Sequence, residues 1–423
     1  MLKFLYGLSI RGYVGLLHVA AFFSPKARLW VRGRKDWRMR LSGRMGPVRK
    51  AGRKTAWFHA ASLGEFEQGR PVIEAFRRAY PDYFIVLTFF SPSGYEIRKN
   101  YAGADYICYL PADTAANARE FVNLVKPEIA LFVKYEFWYN YLKSLADQHI
   151  PILLFSAIFR PEQVFFKSWG GFYRSWLMLF SSILVQDQAS ADLLRQVEGI
   201  REVIVGGDTR FDRAKQLLDN RRELPEISAF AGEGVCLVVG SAWGQDMQLL
   251  IPVLNRLGTR LKAIVAPHEI NADELSEWER QLDLPSLRYS EYRDSGFVLP
   301  EKAPNYLFID NIGMLSSLYG YGKIAYIGGA FGKGLHNTLE AATYGMPVFF
   351  GNKNYLKFSE AVALRDAGIA VPVDNGEAFE QAVLGLLADP GAIRRVAADS
   401  REFVAARTGA TGTVMDVVKR FIA

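Results

Sequence analysis

Residues 326–351 read YIGGAFGKGLHNTLEAATYGMPVFFG. A short apolar strand, Ala325–Ile327, runs into a loop carrying Gly328, Gly329, Gly332 and Gly334. Asn337 stands where a helix N-cap belongs, with Glu340 three residues on, and a second strand, Pro347–Phe350, follows the helix. Strand, loop, helix and strand in that order are one step of a doubly wound α/β sheet. Glycines let a ligand approach the backbone, and the open N–H groups of a helix start suit a phosphate. A carboxylate beside them suits a ribose diol, so the stretch reads as a nucleotide-sugar site.

The same rhythm extends outward in both directions. Upstream, strand-like runs at Ala56–Ala60, Tyr83–Phe89, Tyr106–Leu110, Ile129–Val133, Ile152–Ala157, Ile183–Gln186 and Val203–Val205 alternate with helix-like runs. Those helices include Glu65–Ala79, which Pro71 is expected to kink or restart, Asn117–Val125, Trp138–Gln148 and Ala189–Val197. After a charged segment, Arg213–Pro225, a second series begins at Val235–Gly240, Leu261–Ala266, Tyr306–Ile309, Lys323–Ile327 and Val348–Phe350. The expected organisation has four parts: an N-terminal segment 1–54, a Rossmann-like domain 55–218, a second one 230–400, and a C-terminal part 401–423. The last helical run, Ala392–Ile422, is long enough to pack back across both domains. Two doubly wound domains place their ligand site where strand C-termini meet, in an interdomain cleft.

Composition narrows the partners. The chain of 423 residues carries a net charge of +7, but residues 1–54 hold 14 Lys/Arg against the single acid Asp36. The remainder is net acidic, so the basic block is local. Residues 4–23 beside it are largely apolar and aromatic, interrupted by Arg11 and His18, which makes a poor spanning helix. No small-residue cleavage site follows, which argues against a signal peptide. An apolar, aromatic helix followed by Lys26, Arg28, Arg32, Arg34, Lys35, Arg38 and Arg40 fits an interfacial anchor on an anionic leaflet better than a nucleic-acid site. The plainer alternative is a helix packed on the body with a solvated basic tail. Cys108 and Cys236 lie in strand-like runs and give no disulfide framework.

Four further constellations carry chemistry. In His59-Ala-Ala-Ser62-Leu-Gly64-Glu65, Ser62 and Glu65 have capping-box spacing, and Glu65 in the first helical turn is also placed to act as a general base. Arg70, nearby, reads equally as surface charge or ligand contact. Lys134-Tyr-Glu136-Phe-Trp138 puts Glu136 just past a strand, either in the cleft or solvated. Gly207-Asp208-Thr209-Arg210-Phe211-Asp212 offers Arg210 as a bidentate clamp, or as the ion-pair partner of Asp208 or Asp212. Ala266-Pro267-His268-Glu269 ends another strand, and His268 has no second histidine at metal spacing. No GxGxxG, GxxxxGK[ST] or GxSxG pattern is present, which disfavours dinucleotide, NTPase and hydrolase chemistry.

These motifs, taken with Gly33-Arg-Lys, Ser91-Pro-Ser-Gly94, Leu110-Pro-Ala-Asp113, Gly240-Ser-Ala-Trp243 and His336-Asn-Thr-Leu-Glu340, resemble in order and spacing the Kdo (3-deoxy-D-manno-octulosonic acid) transferases of lipopolysaccharide assembly. The resemblance implies a GT-B fold. It implies inverting transfer of Kdo from CMP-Kdo to a lipid A precursor, lipid IVA, at the cytoplasmic face of the inner membrane, with no metal or other cofactor. It implies Glu65 as catalytic base, and Glu136 and Arg210 in transition-state stabilisation. CMP would be held by Pro267, His268, Ile312, Gly313, Met314, Asn337, Thr338, Leu339 and Glu340. Two departures stand out. Pro267-His268-Glu269 replaces the usual Pro-Arg-His, and Arg210 stands where many members carry lysine, which changes the geometry of the charge. The alternatives are another GT-B nucleotide-sugar enzyme, such as a UDP-sugar transferase or epimerase, and a non-catalytic protein that binds lipid or nucleic acid through residues 1–54.

Overall fold

The computed structural model describes residues 2–332 and 334–422. The chain divides into two compact units, Met1–Arg213 with Thr408–Ala423, and Ala214–Arg407. Each is built on a parallel seven-stranded sheet.

In the first unit the strands are β1 (Thr55–Ala60), β2 (Phe84–Phe89), β3 (Tyr106–Tyr109), β4 (Ile129–Val133), β5 (Ile152–Ala157), β6 (Ser182–Val185) and β7 (Val203–Val205), in the order β3-β2-β1-β4-β5-β6-β7. Every residue of β1, β2, β4 and β5 is buried. Such continuous apolar runs mark strands covered on both faces. Successive side chains feed two separate cores: Trp57, Val86 and Phe132 on one face, Phe58, Ile85 and Leu131 on the other.

The order reverses between β1 and β4, so the loops leaving these two strands diverge and leave a crevice at their C-terminal ends. The helix after β1, Leu63–Ala79, continues through Pro71 without the expected break. The C-terminal run also differs from expectation. It is two helices, Pro390–Ala405 and Ala410–Lys419, separated at Gly409, whose φ of +107° lies in the left-handed region. The second helix buries Val414, Val417 and Val418 in the first unit's core, against the Phe66 and Phe76 side of the sheet. Asp212 fixes its start, accepting hydrogen bonds from the backbone of Gly409 and Thr411 at 2.6 Å each.

The N-terminal segment forms helices Leu2–Ala20, Pro25–Gly33 and Trp37–Lys50. Among the described residues, no helix is long and apolar enough to cross a membrane. The first helix docks through Tyr6, whose hydroxyl donates to Asp113 at 2.5 Å, and through Tyr13, stacked on Phe90. Phe4, Leu8, Leu16 and Val19 on it stay exposed, as do Phe22 and Phe23 after it, while Ile10, Val14 and Leu17 are half-buried. The Gly33-Arg-Lys motif is a fastening. A Cβ on Gly33 would come within 2.2 Å of the Tyr109 ring. The Arg34 guanidinium lies 3.8 Å over Trp30 and donates to the carbonyls of Leu110, Phe90 and Trp30.

In the second unit the strands are β8 (Cys236–Ala242), β9 (Lys262–Pro267), β10 (Ser286–Arg288), β11 (Tyr306–Phe308), β12 (Ile324–Ile327), β13 (Val348–Gly351) and β14 (Ala370–Val373), ordered β10-β11-β9-β8-β12-β13-β14. The reversal falls between β8 and β12. The sequence reading lacks β10 and β14, the two edge strands. The first is three residues long and the second carries Pro372, which only an edge tolerates.

Candidate active site

Each unit gathers candidate residues at its own reversal point. In the first, β1 and β4 carry an acidic pair, a buried Glu136 and a half-buried Glu65. Glu65 sits in the first turn after β1, and its Oε2 accepts hydrogen bonds from the backbone N–H groups of Ala61 at 2.6 Å and Ser62 at 3.2 Å. The capping box is therefore real, and it also locks the carboxyl in place. Burial, and after it the charge of Glu136, pushes the Glu65 carboxyl up to about 8. Lys134, held at a left-handed φ of +64°, pulls the other way.

Glu136 is buried, and its Oε2 takes Nε2 of His59 at 3.0 Å and Nε1 of Trp138 at 2.6 Å. Both sequence candidates, Glu65 and Glu136, thus belong to one cluster, and His59 joins them. Arg210 adopts the alternative fate anticipated for it: Nε donates to Asp208 Oδ2 at 2.8 Å, and a second guanidinium nitrogen lies 2.6 Å from the same oxygen. Tyr135, whose hydroxyl burial holds above its ordinary range, has Arg160, Arg210, Glu65 and Asp187 as charged neighbours. Arg70 pairs with Glu74 one turn on, at 2.7 Å, and reads as helix surface.

In the second unit, the loop after β12 is drawn back against the loop after β8. Gly328 N–H donates to the Gly240 carbonyl at 2.9 Å. A Cβ on Gly328 would sit 2.3 Å from the Ser241 carbonyl and 2.7 Å from Asp246, so only glycine fits. Asp246, fully buried, organises both loops. Its carboxylate accepts the backbone N–H groups of Trp243 (3.0 Å) and Gly329 (2.9 Å) and the Tyr326 hydroxyl (3.2 Å). Sequence reading missed Asp246; the available signal was an acid three residues after Trp243, at the start of the helix Gly244–Leu257.

Trp243 donates its indole N–H to His336 Nε2 at 3.2 Å, with the two rings 17° from parallel. The His268 ring stacks 4.3 Å from each of them. Burial, then His268, drives the His336 imidazole down to about 4, so it is a neutral acceptor at pH 7.

Asn337 differs slightly from expectation. The helix is Leu339–Thr343, and Thr338, the residue immediately before it, already has helical backbone angles. Asn337 Oδ1 nevertheless accepts from Leu339 N–H at 3.1 Å, and its amide donates to Glu340 at 3.0 Å. Thr338 and Leu339 are buried, and among the described residues Thr338 Oγ1 has no hydrogen-bond partner. Pro267 ends β9; after β11, Ile312 is 91% exposed, Gly313 has φ +95° and Met314 is buried. Among the described residues, no group of three or more His, Cys, Asp or Glu is arranged to hold a metal ion. The arrangement is a glycine-lined backbone pocket edge with imidazole and amide donors, suited to an anion and a heterocycle.

Comparison with known proteins follows the same two units. Residues 35–213 match the family described as 3-deoxy-D-manno-octulosonic-acid transferase (kdotransferase). The 3-deoxy-D-manno-octulosonic acid transferase of Haemophilus influenzae is 24% identical over 428 residues, covering 97% of this chain and 95% of its own. That of Bordetella pertussis is 26% identical over 444 residues, covering 99% of both. In fold, the chain is similar to UDP-GlcNAc 2-epimerase from Neisseria meningitidis, with a TM-score of 0.62 at 15% identity, over 86% of this chain and 100% of that one. The two doubly wound units are those of a GT-B architecture. Along its whole length, the chain is similar to members of the 3-deoxy-D-manno-octulosonic acid (Kdo) transferase family.

Proposed function

We propose that this protein is an inverting glycosyltransferase that moves Kdo from CMP-Kdo to a sugar hydroxyl of a lipid A precursor. Beside the kinship, the observation that carries the reading is the Glu65–Glu136 pair at the first unit's reversal point, half-buried and buried respectively. A carboxyl whose proton affinity is raised toward neutrality is matched to general-base work. Glu65 takes the proton of the acceptor hydroxyl. The hydroxyl oxygen bonds to the anomeric carbon from the face opposite CMP, and the bond from that carbon to the phosphate oxygen breaks. One displacement inverts the centre. The transition state has oxocarbenium character, and the Glu136 carboxylate offers it a fixed negative charge. Positive charge from Arg210, together with amide and imidazole donors of the second unit, offsets the charge gathering on the leaving phosphate.

The donor nucleotide is assigned to the second unit. Gly328 and Gly329 let the backbone close on a phosphate, and Asn337 and Glu340 meet the ribose. Where relatives of the family pattern carry arginine, His268 supplies the contact from its stack. The acceptor lies in a membrane. The exposed Phe4, Leu8, Leu16, Val19, Phe22 and Phe23, followed by Lys26, Arg28 and Arg32, suit docking on the anionic cytoplasmic face of the inner membrane.

Incubation with CMP-Kdo and a tetra-acylated lipid A precursor, with mass spectrometry of the product, tests the assignment; no added Kdo sinks it. Calorimetric titration should show CMP preferred over UDP, and the reverse order rejects the donor. Replacing Phe22 and Phe23 by serine should weaken co-sedimentation with anionic vesicles, and unchanged sedimentation removes the membrane part.

A further inference from the structure

A chain of buried hydrogen bonds runs from the core into the acidic cluster. Trp57, Thr88 and His59 are all fully buried. The Trp57 indole, which can only donate, gives its N–H to Thr88 Oγ1 at 2.8 Å. That hydroxyl has two outlets for its own hydrogen: the Phe58 carbonyl at 3.4 Å, and His59 Nδ1 at 2.8 Å. His59 Nδ1 also lies 3.2 Å from the Thr88 carbonyl, so the assignment comes from the other side of the ring: Nε2 faces a Glu136 carboxylate oxygen, which accepts, and the ring hydrogen is therefore placed on Nε2. Nε2 points at Glu136 Oε2, 3.0 Å away. Trp138 aims its fixed donor at the same oxygen from 2.6 Å, and its nitrogen lies 3.1 Å from His59 Nε2. Every donor in the row points toward Glu136.

Strand register explains how the row is built. His59 is paired with Thr88 on β2 and with Phe132 on β4, one residue before the end of β4. Side chains on one face of three adjacent strands therefore line up across the sheet, ending where β4 turns out to Glu136. The outer half of the cluster is held differently: Glu65 Oε2 is fixed by two backbone amides. Neither carboxylate can swing away from the other to relieve their repulsion.

We infer that His59 is a positioning residue: oriented by Thr88 and Trp57, it holds the Glu136 carboxylate in place beside Glu65, and that fixed position sets the basicity of Glu65. The inference rests on the proposed role of Glu65 as base and adds the device that tunes it. The groups facing the pair are His59 on β1, Trp138 and Lys134 after β4, and the Ala61 and Ser62 amides; Tyr135 has Arg160, Arg210, Glu65 and Asp187 as charged neighbours. Removing the His59 donor leaves the Glu136 side chain free to turn away from Glu65. Its charge then no longer opposes ionisation of Glu65, and Glu65 ionises at lower pH.

The test is the pH dependence of kcat/KM for Kdo transfer in the full-length chain bearing Thr88→Val, His59→Leu or His59→Gln, with Glu65→Gln and Glu136→Gln as controls. Thr88→Val and His59→Leu should move the acid limb down by on the order of one pH unit, as for a strongly interacting pair. The same variants should lower kcat about tenfold or more, the lower part of the range for a disturbed general base, with KM for CMP-Kdo unchanged. Glu136→Gln should move the limb in the same direction. His59→Gln, whose amide can reach the Nε2 position, should restore the wild-type limb.

If His59→Leu unfolds, Thr88→Val and His59→Gln still decide, because both keep the core volume nearly constant. A limb that stays put in Thr88→Val while Glu136→Gln moves it overturns the relay and leaves the base assignment standing. Turnover that survives Glu65→Gln instead removes the underlying reading.

Discussion

The two reversal points are the same construction used for opposite chemistry. In the first unit, β1 and β4 part around carboxylates sunk among aromatic rings, with Glu65 and Glu136 held by backbone amides, an imidazole and an indole. In the second, β8 and β12 part around glycines and stacked heterocycles, with the one organising carboxylate, Asp246, fully occupied by loop donors. A crowded acid raises proton affinity; a bare backbone offers N–H groups. On the proposed reading, topology provides a place for a ligand in both units, and the side chains at that place divide proton transfer from binding.

The proposed division of labour can be broken variant by variant. Glu65→Gln should lower turnover by about two to four orders of magnitude, the usual worth of a general base, with CMP affinity by calorimetry unchanged. Loss of CMP binding in that variant would dissolve the contrast between the units. Next in size is pH. Glu65 works as base only when ionised, and its carboxyl is held up at about 8, so kcat/KM should rise through neutral pH and level off above that value. Below it the rate should fall about tenfold per pH unit; a plateau extending down to pH 5 contradicts the acidic pair.

Gly328→Ala forces a methyl group against the Ser241 carbonyl at 2.3 Å. Overpacking of this kind costs about 1–3 kcal/mol, and it should appear as weaker CMP binding. Asp246→Asn replaces an acceptor of three hydrogen bonds with a group that turns an N–H₂ toward donors, at a cost of about 1–3 kcal/mol. Its melting temperature and CMP affinity should fall together, while the pH limb set by Glu65 stays where it is. The smallest effect belongs to Trp243→Phe. The ring still stacks on His268, but the 3.2 Å bond to His336 is lost, for about 0.5–1.5 kcal/mol. An effect on kcat without one on CMP affinity would assign the heterocycle stack to chemistry instead.

Much of this was legible in the chain. Central strands such as Ile129–Val133 announce themselves because a sheet covered on both faces needs an unbroken apolar run. Glu65 was legible because a carboxylate three residues after Ser62 is a helix start whatever else it does. Edge strands were not, since Ser286–Arg288 is too short to show a period, nor was the break at Gly409, where one left-handed residue divides two good helical patterns. Arg210 could be read as clamp or ion pair, and its partner Asp208 was one of the two residues named for that pair.

The sequence alone determined the two doubly wound sheets, the glycine-lined loop, the basic apolar N-terminus and the likeness to the Kdo transferases, because each is written in local periodicity or in ordered motifs. Only the tertiary structure decided that Gly33-Arg34 is a fastening and that the histidines His268 and His336 share one stack with Trp243. It also decided that Thr88, His59 and Glu136 form a single row. These residues lie 29 and 77 positions apart in the chain. Parallel strand pairing, which no local pattern records, brings them within hydrogen-bond reach and sets Glu136 beside Glu65, whose own burial and the charge of Glu136 raise its proton affinity.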